Sequence, residues 1–137
     1  MNSFNVFKVS ASALEAQRQR MNVVASNMAN VHSTRTDEGG PYRRKDVLFS
    51  AETVQSDSDT LTGVRIVDVV PDSSPFRTVY DPGHPDADKD GYVSMPNINI
   101  IEEMVNIMMA SRAYEASVSA FNMSKAMFLK TLELGRQ

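Results

Sequence analysis

The chain has 137 residues, which suits one ordinary domain or a small domain with helical extensions and argues against a multidomain enzyme. Its formal charge of -3 and the absence of any basic run beyond Arg43-Arg44-Lys45 leave no positive surplus for a phosphate backbone, so nucleic acid is not an expected partner. Without Cys there is no disulfide framework, thiolate zinc site or cysteine nucleophile, and with no Trp, 7% aromatic residues and nine Met the core is expected to be modest and adaptable.

The opening residues Met1-Asn2-Ser3-Phe4-Asn5-Val6-Phe7-Lys8 lack a basic segment followed by a continuous apolar stretch. Neither a cleaved signal peptide nor a membrane-inserted segment is therefore expected. From about Ser3 to Val31 turn formers are scarce, and Phe7, Leu14, Met21 and Met28 recur every seven residues with Val24 and Val31 between them. This spacing predicts a helix with a narrow apolar stripe. Ser10 and Gln17 interrupt the stripe, so the helix needs a partner to be stable. Asn2 or Ser3 could cap it, and Ser12 with Glu15 reads equally as a capping box.

From His32 to Gly63 the composition turns to Ser, Thr, Asp, Gly and charge, and Gly39-Gly40-Pro41 ends any continuing helix. Loop with one strand, Tyr42 to Phe49, is expected there. A second alternating run, Gly63 to Val70, stops at Pro71, and a short third one, Phe76 to Tyr80, stops at Asp81-Pro82-Gly83. Together these predict a small, irregular β insertion.

Beyond Pro96, Asn99 and Glu102 form an N-terminal capping pair for the longest helix, whose end is marked by Gly135. Ile100, Ile107, Tyr114, Phe121 and Phe128 recur every seven residues, interleaved with Met104, Ser111, Val118, Lys125 and Leu132. The flanks are also unusually apolar or small: Met108, Met109, Ala113, Ala116, Ala120, Met123 and Met127. A helix of this length extends about 50 Å at 1.5 Å per residue, more than the first helix and a small insertion can cover on every side. The expected fold is mainly α with a small β insertion. The N- and C-terminal helices pair as a coiled-coil-like layer, with residues 1–33 and 98–137 as assembly helices and 34–97 as the insertion between them.

Other motifs carry less. Asp86-Ala87-Asp88-Lys89-Asp90-Gly91 matches the first half of a calcium loop, but position twelve would be Asn97 rather than Glu and Pro96 precedes it, so a solvated acidic turn is expected. His32 and His84 lie in no metal-ligand spacing, and no Ser occupies a nucleophile-elbow sequence. No catalytic role, cofactor or metal is expected. Arg43-Arg44-Lys45 is followed by Asp46 and reads as a solvated strand edge.

Three blocks point further. Ala25-Ser26-Asn27-Met28-Ala29-Asn30-Val31 resembles the signature at the end of the first helix in the flagellar rod and hook axial protein family. The segment Tyr80-Asp81-Pro82-Gly83-His84-Pro85, continuing to Gly91-Tyr92-Val93 and Met95-Pro96-Asn97, resembles the proximal-rod branch of that family. Glu103-Met104-Val105-Asn106, Ala110-Ser111-Arg112-Ala113-Tyr114-Glu115-Ala116 and Leu132-Glu133-Leu134-Gly135 resemble its C-terminal helix. Ser117 departs from the family pattern, and Asp57 to Thr60 matches none of it.

The resemblance implies a structural subunit of the basal-body proximal rod, exported unfolded by the flagellar type III apparatus without a cleaved signal peptide. Assembly would occur in the periplasmic space with proximal and distal rod subunits and with the basal-body adaptor near the MS ring. It also implies a paired-helix inner layer around the export channel, in a drive shaft that transmits torque. The assembly interface expected from the stripes and the matched blocks comprises Phe7, Leu14, Met21, Val24, Asn27, Met28 and Asn30 on the first helix. On the second it comprises Ile100, Met104, Ile107, Ser111, Arg112, Tyr114, Val118, Phe121, Phe128 and Leu132. The alternative reading is a soluble helical or export-associated adaptor that binds a partner through the Met-rich face.

Overall fold

A computed structural model describes residues 3–55 and 60–135; Asn2, one of the suggested caps, and most of the unmatched Asp57 to Thr60 stretch lie outside them. Two long helices, α1 (Ser3–Ala29) and α2 (Ile100–Leu134), bracket four strands, and about half of the chain is helical. The strands are β1 (Lys45–Gln55), β2 (Thr60–Pro71), β3 (Arg77–Tyr80) and β4 (Tyr92–Met95). They form two separate antiparallel pairs, β1 with β2 and β3 with β4.

The helices pair directly, and α1 also packs against both β1 and β2. Ser12 lies in the middle of α1 rather than at a cap. Its hydroxyl donates to Val9 O at 2.7 Å and accepts from Val64 N at 3.1 Å, so it ties β2 to the helix. Gly63 is required at that contact, because a Cβ there would lie 2.9 Å from Ser12 Oγ. The suggested Ser12-Glu15 capping box is replaced by this tertiary role.

β1 runs six residues past Phe49, where the sequence suggested that the strand would stop. Ser50, Ala51 and Glu52 have weak strand preference, but each pairs across the ribbon, with Arg65, Val64 and Gly63. The register shifts between Leu48 and Phe49, leaving Val67 as an extra, outward residue that bends the ribbon. The predicted strand at Phe76 to Tyr80 is present from Arg77, and its partner β4 had no strand signal of its own.

α2 begins as expected, with Asn99 accepting from Ile101 N at 3.1 Å. It ends at Gly135, which is right-handed at φ -78° rather than in the left-handed cap conformation. The buried apolar residues are mostly small or branched: Ala16, Val24, Val47, Val93, Ile98 and Ala110. None of the described helices is long and apolar enough to cross a membrane.

The helix pair uses a slightly different face of α2 from the one read by heptads. Glu103, Ile107, Ala110, Tyr114, Ser117, Phe121, Ser124 and Phe128 form the covered or half-covered row. Met104 and Leu132 of the expected second row are exposed, while Ser111 and Val118 are half-buried at its margin. The reason is steric: Ala110, Ser117 and Ser124 permit closer approach than Met104 or Lys125. Ser117 and Ser124 satisfy their hydroxyls on Ala113 O and Ala120 O, both at 2.9 Å, so they enter the contact without an orphaned donor. Gln17 Oε1 is buried without a hydrogen-bond partner among the described residues, which fits the weak middle of the α1 stripe.

Candidate functional site

The first element of the site is the helix seam. Phe7 meets Phe121 with ring centroids 5.1 Å apart and Phe128 edge-on at 6.3 Å. Leu14, Met21, Met28, Ile107 and Tyr114 are half-buried along the same pair, and Val24 is buried. Arg20 reaches Asn106 at 3.5 Å across it. Ile100, Met104, Arg112 and Leu132 instead face outward. Asn30 is half-buried in the turn after α1, donating to Ser26 O at 2.9 Å and accepting from Ser33 Oγ at 3.0 Å.

The second element is a polar cluster where α1, the entry to β1 and the first turn of α2 converge. Asn27 is 0% exposed and uses its whole amide. Its Nδ2 donates to Lys45 O at 2.8 Å and to Glu103 Oε2 at 2.9 Å, while its Oδ1 accepts from Lys45 N at 3.0 Å and Tyr42 Oη at 3.2 Å. The amide thus pairs with a backbone residue as a neighbouring strand would. Asn27 was expected at the assembly surface; in the structure its side chain is spent inside the subunit.

Glu103 is also 0% exposed. Its Oε1 accepts from Arg44 Nε at 2.8 Å, and its place in the first helical turn puts the carboxylate near the favourable end of the α2 dipole. Arg44 completes the cluster through Asp46 at 3.2 Å and Asp72 at 3.5 Å. Burial opposes its charge, but the hydrogen bonds and fields of Glu103 and Asp46 prevail and hold the guanidinium above its ordinary pKa. Asn97 accepts from Arg44 N at 2.9 Å and donates to Ser74 O at 3.2 Å, which secures the segment before α2. Arg43 donates to Asp72 O at 2.8 Å and lies 4.1 Å from the Phe76 ring centroid.

Arg43 and Arg44 are therefore parts of a built joint rather than of a solvated strand edge, whereas Lys45 is exposed and joins it through its backbone. The signal that could have found it was divided between distant segments: Asn27 and Glu103 each belong to a quoted family block, but nothing local pairs them with Arg44. Chemically the cluster holds: the Asn27 amide oxygen accepts from Lys45 N and Tyr42 Oη, and the Glu103 carboxylate accepts from the Asn27 amide nitrogen and Arg44 Nε, so these oxygens are engaged within the subunit instead of being aimed at a ligand site.

The block from Tyr80 to Asn97 folds as β3, a tight loop and β4. Tyr80 packs against Tyr92 with centroids 5.2 Å apart, and Gly91 adopts φ +83° directly beside Tyr80. Asp88 Oδ1 accepts from Asp90 N at 2.9 Å and Tyr92 N at 2.8 Å, while Asp86 accepts from Thr34 Oγ1 at 2.8 Å. These carboxylates brace the loop, and no group of acidic or imidazole ligands among the described residues is arranged to hold a metal.

The terminal helices pair, the β1–β2 ribbon packs on α1, and much of the outer face of α2 is uncovered in the isolated chain. Residues 7–35 match a family model described as flagella basal body rod protein, and 89–134 match one described as flagellar basal body rod FlgEFG protein C-terminal. The chain is 46% identical over 136 residues to the flagellar basal-body rod protein FlgC of Escherichia coli O6:H1, covering 99% of this chain and 100% of that one. It is 41% identical over 150 aligned positions to FlgC of Bacillus subtilis strain 168, covering 99% and 100%. With FlgC of Borreliella burgdorferi the identity is 40% over 149, covering 98% of each. The chain belongs to the FlgC family of flagellar basal-body rod proteins, and its role is that of a structural rod subunit.

Proposed function

We propose that this subunit is built into the proximal rod through the outward face of α2, as part of the drive shaft that transmits torque and encloses the export channel. Its neighbours are proximal and distal rod subunits and the basal-body adaptor near the MS ring. It reaches the periplasmic space unfolded, through the flagellar type III apparatus. The role is mechanical rather than catalytic.

The observation that carries this reading is the uncovered apolar strip of α2. Ile101 is 73% exposed, and Met104, Val105, Met108, Met109, Met123 and Met127 are all exposed along the same helix. Exposed apolar surface of this kind, dense from Ile101 to Met109 and returning at Met123 and Met127, favours burial against another surface. Met side chains adapt to irregular gaps between neighbours, and head-to-tail contacts that do not close into a ring generate a filament. In this division of labour Phe7, Leu14, Met21, Val24, Met28, Ile107, Tyr114, Phe121 and Phe128 hold the helix pair. Ile100, Met104, Arg112 and Leu132 meet other subunits, with Ser111 and Val118 at the border, and Asn27 and Asn30 position the end of α1.

The test is Met108→Glu combined with Met109→Glu. Both side chains are exposed, so the isolated subunit should keep its stability to within about 0.5 kcal/mol, while rods disappear from purified basal bodies and motility is lost. Rods of normal length and content would show that this face is not an assembly surface. Loss of a soluble complex with unchanged rods would favour the adaptor reading instead.

A further inference from the structure

We propose that Asn27, Arg44 and Glu103 form a latch that makes the pairing of the two terminal helices conditional on a seated β insertion. The helices could have met through apolar side chains alone. Instead, the first turn of α2 carries into the contact a carboxylate with no exposed surface. Besides a long 3.5 Å bond from Asn106 of α2 itself to Oε1, its oxygens are met from two other parts of the chain: Oε2 by Asn27 of α1 and Oε1 by Arg44 from the entry to β1. Asn27 in turn holds both backbone groups of Lys45, the residue after Arg44.

The consequence is a logical AND. Bringing α1 and α2 together without Arg44 in place leaves Glu103 buried and short of its cation, which is strongly unfavourable. Seating the 44–45 segment without α1 leaves the Lys45 backbone groups without the amide they pair with. Asn97 and Asp72 fix Arg44 from the side of the insertion, so the guanidinium arrives only with that region folded. Buried polar groups select one arrangement among several apolar ones. That selection matters here because α2 has a second apolar row beside the one it uses. Asn27, Arg44 and Glu103 are thus positioning residues for the helix pair.

The chain has no Cys, so introduced thiols react without competition from native ones. Arg18 and Tyr114 line one surface groove between α1 and α2 and are the sites for a Cys pair bridged by a short bismaleimide; because Tyr114→Cys removes one seam side chain, every variant is compared within that same Cys background. In the full-length purified chain carrying that pair, Arg44→Met is expected to lower bridging roughly tenfold or more, although residue 44 lies in neither helix. Adding Glu103→Gln removes the buried charge while keeping an oxygen for Asn27, and is expected to restore at least half of the original yield. A purely structural loss of Arg44 packing would not be rescued from position 103. Bridging in Arg44→Met equal to that of the unaltered latch, or a double variant that stays at the level of the single one, overturns the proposal.

Discussion

Phe7, near the start of the chain, and Phe121, far into the second helix, face each other with ring centroids 5.1 Å apart and planes inclined at 57°. Phe128 closes the same contact from two turns further along α2 at 88° to Phe7, so three aromatic rings clamp the open end of the helix pair. The opposite end is clamped by polar groups around Asn27. The helix pair is therefore held by different chemistry at its two ends, apolar at one and ionic at the other.

Phe121→Asp tests the aromatic clamp. It removes a half-buried ring from Phe7 and places a carboxylate in its site, at an expected cost of about 3–5 kcal/mol. Urea unfolding followed by circular dichroism measures it. The matched control is Lys130→Ala, which removes one exposed pair with Glu133 and should change stability by less than about 0.5 kcal/mol. Equal effects of the two substitutions would show that the ring contact contributes nothing to the pair.

Asp88 tests the acidic turn. Calcium titrated into the native chain should give no stoichiometric heat, since the Asp88 carboxylate already accepts from two backbone amides. Asp88→Ala should nevertheless destabilise the β3–β4 unit by about 1–2 kcal/mol, because Asp90 N and Tyr92 N lose their acceptor. A micromolar calcium affinity abolished by the same substitution would reverse this assignment.

Asp72 gives the protein an acid-sensitive contact. Ser74 donates to Oδ1 through its hydroxyl at 2.5 Å and its backbone at 2.8 Å, and with the more distant Arg44 these bonds hold the carboxyl below its ordinary pKa against a smaller effect of burial. A depressed folded-state pKa stabilises the fold above the ordinary value of about 3.9 and loses that contribution as pH falls through the folded value. Urea stability of the native chain should thus exceed that of Asp72→Asn at neutral pH, and the two should converge as pH falls below the ordinary carboxyl range. Parallel curves across that window would remove Asp72 from the acid response.

Much of this architecture is written in local residue patterns. The seven-residue recurrence from Phe7 to Met28 and from Ile107 to Phe128 specifies two long helices, and Asn99 specifies where the second begins. Alternation from Gly63 to Val70 specifies a strand, because side chains of a strand turn to opposite faces every second residue. The three sequence blocks were sufficient for the family.

Tertiary structure alone decided which row of α2 faces α1. Periodicity reports that some face is buried, but where Met104, Met108 and Ala110 all fall within an apolar surround it cannot choose between adjacent rows. Steric fit at Ala110, Ser117 and Ser124 makes that choice. Position along the chain also hides the latch, since Asn27 and Glu103 are separated by 76 residues and Arg44 from Glu103 by 59. The extension of β1 past Phe49 and the existence of β4 likewise depend on their cross-strand hairpin partners, whose backbone hydrogen bonds outweigh weak local preference. Patterns within a few residues determine elements because their forces are local, whereas the pairing of buried charge with its counter-charge is decided only once the chain has brought them within 3 Å.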